Sequence, residues 1–380
     1  GALISFIAIP ITTWLIVPEE FGKASMFTLA FNLLLNFSLL GADQSFVRLF
    51  YERDEDDRRN LLWESLLPSL TIGLMVFVLI LILWEKVSFI IFGDYEQYLS
   101  VLLLGVAIIV GIFEHFALLV VRMEKRGIVY SIIRIINAFT NVIITIIYAL
   151  FISKTFNAMI AGILFSSLIS AVFAIIFEKQ LWCKKFKINI RSIRYIIGYG
   201  LPFVPAFFTT WVFQSIDRLA LRSYSDFTEI GLYSAAFKVV AIMSLIQAGF
   251  TTFWTPVAYE SYENEPENTI IFEKTSVFIA AIMFTLGTLI VVFNDIIFLL
   301  LATSYRNAAR IVPFLLLVPI MYTVSEVTFV GINFKKKTYW HILIASVSAI
   351  ANFIGNMWLV PIYGAKGAAL STGLSYIIFF

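Results

Sequence analysis

Several polar and charged side chains stand inside stretches that are otherwise apolar enough to cross a bilayer. Within residues 128–152, Ser131, Arg134, Asn141, Thr145 and Tyr148 recur at helical steps with Asn137 beside them, so one side of a helix there is polar over several turns. Hydrocarbon does not tolerate such a face, which must look into a bundle or a wet cavity. Part of the pattern returns later: Asn352, Asn356 and Tyr363 match Asn137, Asn141 and Tyr148 at one constant offset. Asparagine pairs at this spacing suit interhelical hydrogen bonding as readily as a ligand. Arg134 has no counterpart, because Ala349 takes its place. It is either a cation for an anionic ligand or a side chain snorkelling to the interface.

A second concentration lies in residues 195–260, which read as two long apolar helices around a short polar hairpin. Thr210, Gln214 and Asp217 share one helical face, and Ser234 and Lys238 share another. An unpaired charge in a span costs roughly 2.5–3.5 kcal/mol on insertion scales, so each charge kept there needs a reason. Asp217 and Arg218, near the outer end, read either as a hairpin salt bridge or as cavity groups. Lys238 stands two turns inside its helix, where snorkelling is harder, and reads as a cavity cation. Glu114 with His115, and Glu326, lie in apolar runs of their own. Each is suited to reversible protonation of the kind ion coupling requires, or to a structural hydrogen bond with a neighbouring helix.

The elements that must position these residues are membrane spans. The chain is 60% hydrophobic and 14% charged, with a mean hydropathy of +0.92, against about 25% charged in soluble domains. It is an all-α polytopic membrane protein. Apolar runs place twelve spans near 1–17, 24–42, 62–84, 99–121, 128–152, 158–177, 195–216, 229–254, 275–301, 309–333, 339–360 and 365–380. Pro202, Pro205, Pro313 and Pro319 permit bends within them.

The chain also repeats itself. Glu20, Gly22 and Ser25 match Glu229, Gly231 and Ser234 at a constant offset. Gly41, Phe46, Tyr51 and Glu52 match Gly249, Trp254, Tyr259 and Glu260 with one residue deleted. The repeat predicts two homologous lobes, residues 1–177 and 195–380, joined by the basic segment 178–194. By the same comparison roughly fifteen residues of the first helix are expected to be missing, and residues 365–380 are shorter than a span, so both end helices are expected to be cut.

Lysines and arginines fall 18 to 8 in favour of the even connections, which places those connections, and both natural termini, in the cytoplasm. The segment Glu178–Arg194 is a topology anchor that could also touch anionic headgroups. The stretch Phe46–Arg59 reads as a self-paired solvated loop and Thr255–Asn268 as an acidic one. A net charge of +2 implies no nucleic-acid partner. Two histidines and one cysteine argue against a metal site, and no phosphate-binding glycine loop occurs. No cofactor is expected. No long outer loop carries acid, base or acceptor groups, which counts against an enzyme.

The strings PEEFGKASMF, LLGADQSFVRLFYE, YGLPFVPAFFTTWVFQSIDRLALRSYSDFTEIGLYSAAFKV, FTTFWTPVAYESY and IYGAKGAALSTGLSY resemble, in order and spacing, the bacterial polysaccharide-biosynthesis oligosaccharide flippases. Those belong to the multidrug, oligosaccharidyl-lipid and polysaccharide exporter superfamily. The resemblance implies two six-helix lobes around a central cavity that opens alternately to either side. It implies passage of undecaprenyl-diphosphate-linked oligosaccharide from the inner to the outer leaflet of the bacterial cytoplasmic membrane, for lipopolysaccharide or capsule. Partners would be the lipid-linked oligosaccharide, the bilayer, and polysaccharide polymerase and assembly proteins. Arg134, Lys238, Asn137, Asn141, Gln214, Asp217 and Arg218 would then be substrate-cavity candidates, and Glu114, His115 and Glu326 ion-coupling candidates. An ion-coupled drug or metabolite antiporter of the same architecture competes with this reading, and a membrane glycosyltransferase or polymerase competes less well.

Overall fold

The computed structural model describes residues 2–183, 186–265, 268–337 and 339–380. Gly1, Lys184 and Lys185 of the basic segment, Pro266 and Glu267 of the acidic stretch, and Thr338 lie outside the described residues. Every regular element among those described is helical. Eight helices are long and apolar enough to cross a membrane, or ten if two bent pairs each count as a span. The sequence expectation of twelve exceeds this by two, and two features account for the difference. One is the opening helix α1 (Ala2–Leu15), which at 14 residues falls below the roughly 20 needed to span. The other is the long helix at the end of the chain, which is two helices in line. Gly364 breaks it with φ 56° and ψ −133°, a conformation that side-chain-bearing residues avoid.

Contacts divide the chain into two compact units, Lys23–Ser215 and Ala2–Gly22 with Ile216–Phe380. Residues 2–22 are thus grouped with the later part of the chain, and most of the expected seventh span with the earlier part.

In the first unit, α2 (Pro18–Leu39) and α3 (Ala42–Leu49) meet at 54°, and α10 (Ile190–Gly200) and α11 (Phe203–Tyr224) meet at 43°. The causes are local. Gly41 is left-handed at φ 69°, and Pro202 has no N–H to continue a helix. The bends interlock, since a Cβ on Gly41 or on Gly200 would strike the backbone carbonyl of the other. Ser45 Oγ donates to the Ile196 carbonyl at 2.6 Å beside them. Against this corner pack α4 (Glu55–Ile82) and α6 (Tyr98–Met123), and the unit is completed by α5 (Trp84–Phe92), α7 (Gly127–Phe151), α8 (Phe156–Phe177) and the short α9 (Lys179–Cys183).

The described part of the basic segment is strapped to α4. The Lys187 N–H donates to Asn60 at 2.7 Å, and the Asn189 N–H and Ser192 Oγ donate to Glu64 at 3.0 and 2.5 Å. Phe186 stacks on Trp63 with centroids 4.5 Å apart, and Arg126 pairs with Glu178 at 2.9 Å. Glu64 is buried, so Glu64→Ala leaves two donors without an acceptor, at a cost of about 1–3 kcal/mol each. Limited proteolysis of the variant is expected to cut at residues 178–194 faster than in the wild type. Equal rates would show that the strap does not hold the segment.

The second unit contains α1, the start of α2, the end of α11, α12 (Phe227–Asn264), α13 (Ile270–Val292), α14 (Asn294–Leu299), the 3₁₀ turn η1 (Thr303–Arg310), α15 (Val312–Leu315), α16 (Leu317–Phe334) and α17 (Tyr339–Phe379). Repeat-related positions touch here. A Cβ on Gly22 would strike the Phe227 carbonyl, and one on Gly231 would strike the Pro18 carbonyl. Tyr305 OH donates to the Ile16 carbonyl at 2.8 Å, and its ring meets Phe21 edge-on. At the break in α17, Glu229 accepts the Ala365 N–H at 2.7 Å. A carboxylate from a distant helix therefore occupies the positive end of the final span.

Candidate functional site

The polar face of α7 divides its tasks within the first unit. Thr145 is buried and donates to the Asn141 carbonyl at 2.7 Å, directly where Gly162 of α8 approaches without a side chain. That part of the face joins helices. Further along, Asn137 Nδ2 donates to Glu114 Oε1 at 3.0 Å, tying α7 to α6. Arg134 is exposed, and its charge acts on Glu114. His115, on the next position, turns to another helix: its Nε2 lies 3.3 Å from Asp43 Oδ2 of α3. Asp43 is 5% exposed, accepts Gln44 Nε2 at 2.8 Å, and has no partner at Oδ1. Glu114 and His115 are therefore two separate polar contacts. Sequence reading passed over Asp43, whose signal is an acidic residue two places after a glycine at a helix break.

The second unit encloses a denser cluster. Asp217 is 6% exposed. It accepts Tyr233 OH at 2.6 Å and Asn356 Nδ2 at 2.8 Å, with Asn352 Nδ2 at 3.4 Å. Asn352 also donates to Thr372 Oγ1 at 3.1 Å, and its carbonyl accepts Ser371 Oγ at 2.8 Å. No ion pair joins Asp217 to Arg218, so the hairpin salt bridge is not formed; the aspartate faces inward because three neutral donors converge there. Asn356 Oδ1 is buried without a partner. The oxygens of Asp217, Asn352, Asn356 and Thr372 carry one formal charge between them. Such a set suits a proton or a monovalent cation and offers none of the imidazole or thiolate that transition metals prefer. Among the described residues no group of three or more His, Cys, Asp and Glu could hold a metal ion.

The repeated asparagines thus perform one task twice. Asn137 in the first unit and Asn352 in the second each reach a carboxylate on another helix, Glu114 on α6 and Asp217 on α11. The acids are not repeat partners, which is why matching the halves did not pair them.

Lys238 in α12 sets its ammonium 4.4 Å from the centroid of the Phe21 ring. No carboxylate pairs with it among the described residues, so the ring quadrupole is its counterpart. Gln214, exposed, belongs to the first-unit part of α11. Glu326 of α16 accepts Thr251 Oγ1 of α12 and lines a cavity with aromatic walls.

A helical chain with long apolar spans broken at glycine and proline and polar networks inside each unit is a multi-pass membrane protein. The chain belongs to a family described as polysaccharide biosynthesis protein, whose profile matches residues 1–262. It is 20% identical over 372 residues to an uncharacterized membrane protein of Methanocaldococcus jannaschii, covering 92% of this chain and 73% of that one. Its fold is similar to the inward-facing conformation of a multidrug resistance MATE family transporter of the MOP superfamily, with TM-score 0.75, 14% identity, and 100% of this chain and 92% of that one covered. It is equally similar to the inward closed conformation of the lipid II flippase MurJ, with TM-score 0.76, 15% identity, and 99% and 84% covered. At such identities the likeness is one of fold.

Proposed function

We propose that this protein moves undecaprenyl-diphosphate-linked oligosaccharide from the inner to the outer leaflet by alternating access, supplying the synthesis of a surface polysaccharide. The observation that carries the reading is the conjunction of a polysaccharide-biosynthesis family with a transporter fold. A diphosphate crossing hydrocarbon needs cations. Arg134, exposed on α7, and Lys238, held by an aromatic ring instead of a carboxylate, retain charge for that purpose. Asn137, Asn141 and Gln214 of the first unit and Arg218 of the second are the further polar candidates for substrate contact. Glu114 with His115, and Asp217, are the positions where a proton or small cation would couple to the cycle. In the same reading the protein sits in a bacterial cytoplasmic membrane with its natural termini inside, its halves 1–177 and 195–380 are duplicated repeats, and polymerase and assembly proteins act next on its product.

The test is complementation of a strain lacking its own oligosaccharide flippase, scored by surface polysaccharide. Wild type is expected to restore it. Arg134→Ala or Lys238→Ala is expected to lower export about tenfold, the effect of about 1.4 kcal/mol, at unchanged membrane abundance. Normal polysaccharide in both variants would remove these cations from the substrate path. Failure of the correctly inserted wild type, with drug efflux in its place, would favour the antiporter.

A further inference from the structure

Glu326 opens onto a cavity of ≈ 200 Å³ in the second unit. Its walls are aromatic, with Trp254 and Tyr259 from α12, Tyr322 and Phe329 from α16 and Phe379 from the end of α17, and Asn333 stands beside them. Trp254 is 2% exposed and Tyr259 is 42% exposed, so the cavity has a closed wall and an open mouth. Two polar facts mark it as more than a packing void. The amide nitrogen of Asn333 lines it with no protein hydrogen bond among the described residues. Glu326 accepts Thr251 at Oε2 only, which leaves Oε1 without a protein hydrogen bond.

We propose that this cavity is a subsite for one neutral sugar ring of the carried glycan, an assignment that rests on the flippase reading. A pyranose presents C–H faces to aromatic rings and hydroxyls at its rim, each of them donor and acceptor at once. A hydroxyl oxygen accepts from the Asn333 amide while hydroxyl protons reach Glu326 Oε1, a charge-assisted bond. Asn333 accepts His341 Nε2 at 2.7 Å through Oδ1, which leaves its amide nitrogen as that donor. Size decides against a drug-sized ligand, whose pockets run to roughly 300–1,000 Å³. An organic cation would suit the rings and the carboxylate, but it carries no acceptor for the Asn333 amide.

The test is saturation-transfer NMR on the full chain in nanodiscs, with glucose, galactose and N-acetylglucosamine as sugar probes and tetramethylammonium as the cationic one. At least one sugar is expected to receive saturation from the wild type. Its binding should weaken about tenfold in Glu326→Gln, which keeps the side-chain shape, and in Tyr259→Leu at the open mouth. It should be unchanged in Glu273→Gln. Thermal midpoints verify folding, and Tyr259→Leu decides the matter if Glu326→Gln fails to fold. Equal sugar signals in wild type and variants, no sugar signal at all, or a response to tetramethylammonium alone would overturn the subsite. Complementation separates the two readings. Restored polysaccharide with sugar binding unaffected by the variants removes the subsite and keeps the flippase. Sugar binding lost in the variants, with no glycan restored by wild type, keeps a carbohydrate site and removes the flippase.

Discussion

Asp217→Ala is expected to lower the thermal midpoint of the protein by several degrees, a loss of about 2–4 kcal/mol. The substitution takes the acceptor from Tyr233 OH and from the amides of Asn352 and Asn356, all buried. Buried donors left unpaired cost about 1–3 kcal/mol each. Hydrogen bonds between transmembrane helices average only about 0.6 kcal/mol, because a side chain that loses one partner finds another. Three linked donors around one carboxylate have few alternatives inside the cluster, since the Asn356 and Asn352 amides already face each other. The total therefore falls between the two scales. Asp217→Asn retains the shape and one acceptor and is expected to cost about a third as much. A melting curve of Asp217→Ala that overlays the wild type would show that the network is not a unit.

Gly231→Ala is expected to be worse still and to abolish recovery of folded protein. A Cβ there runs into the Pro18 carbonyl, and neither partner can yield, because both are backbone. Two opposed terms act. Alanine gains about 1 kcal/mol over glycine in a helix, whereas overpacking costs about 1–3 kcal/mol even where flexible side chains absorb the strain. With backbone on both sides the clash wins. Gly249→Ala is the control, since nothing lies within 4 Å of its added carbon; only the propensity gain remains, and the midpoint should rise slightly. Size-exclusion profiles of the two variants check the contrast. Comparable monodisperse yields would overturn the close crossing.

The fold was legible because membrane insertion reads the same variable the sequence displays, the length of apolar runs. The places where helix boundaries departed from the runs are those where backbone conformation and not hydropathy decides, at Gly41, at Pro202 and at Gly364. The asparagine repeat was legible as a bundle-forming feature, and Asn137 and Asn352 do form interhelical bonds. What they bind was not legible, because Glu114 and Asp217 come from helices that are not equivalent in the two repeats. Tyr233, a neutral residue in an apolar helix, gave no signal of its own as the donor to Asp217. Asp43 was hidden among the ordinary residues of a short helix, and only folding sets it against His115.

The grouping of residues 2–22 with the later part of the chain bears on synthesis. Residues leave the ribosome in order, and domains usually fold as they emerge. Here Ala2–Gly22 belongs with Ile216–Phe380, so this segment finds its partners only once residues about two hundred positions downstream have been made. Contacts so distant in the chain are slow to form. Completion of the second unit is therefore deferred until its later spans are made.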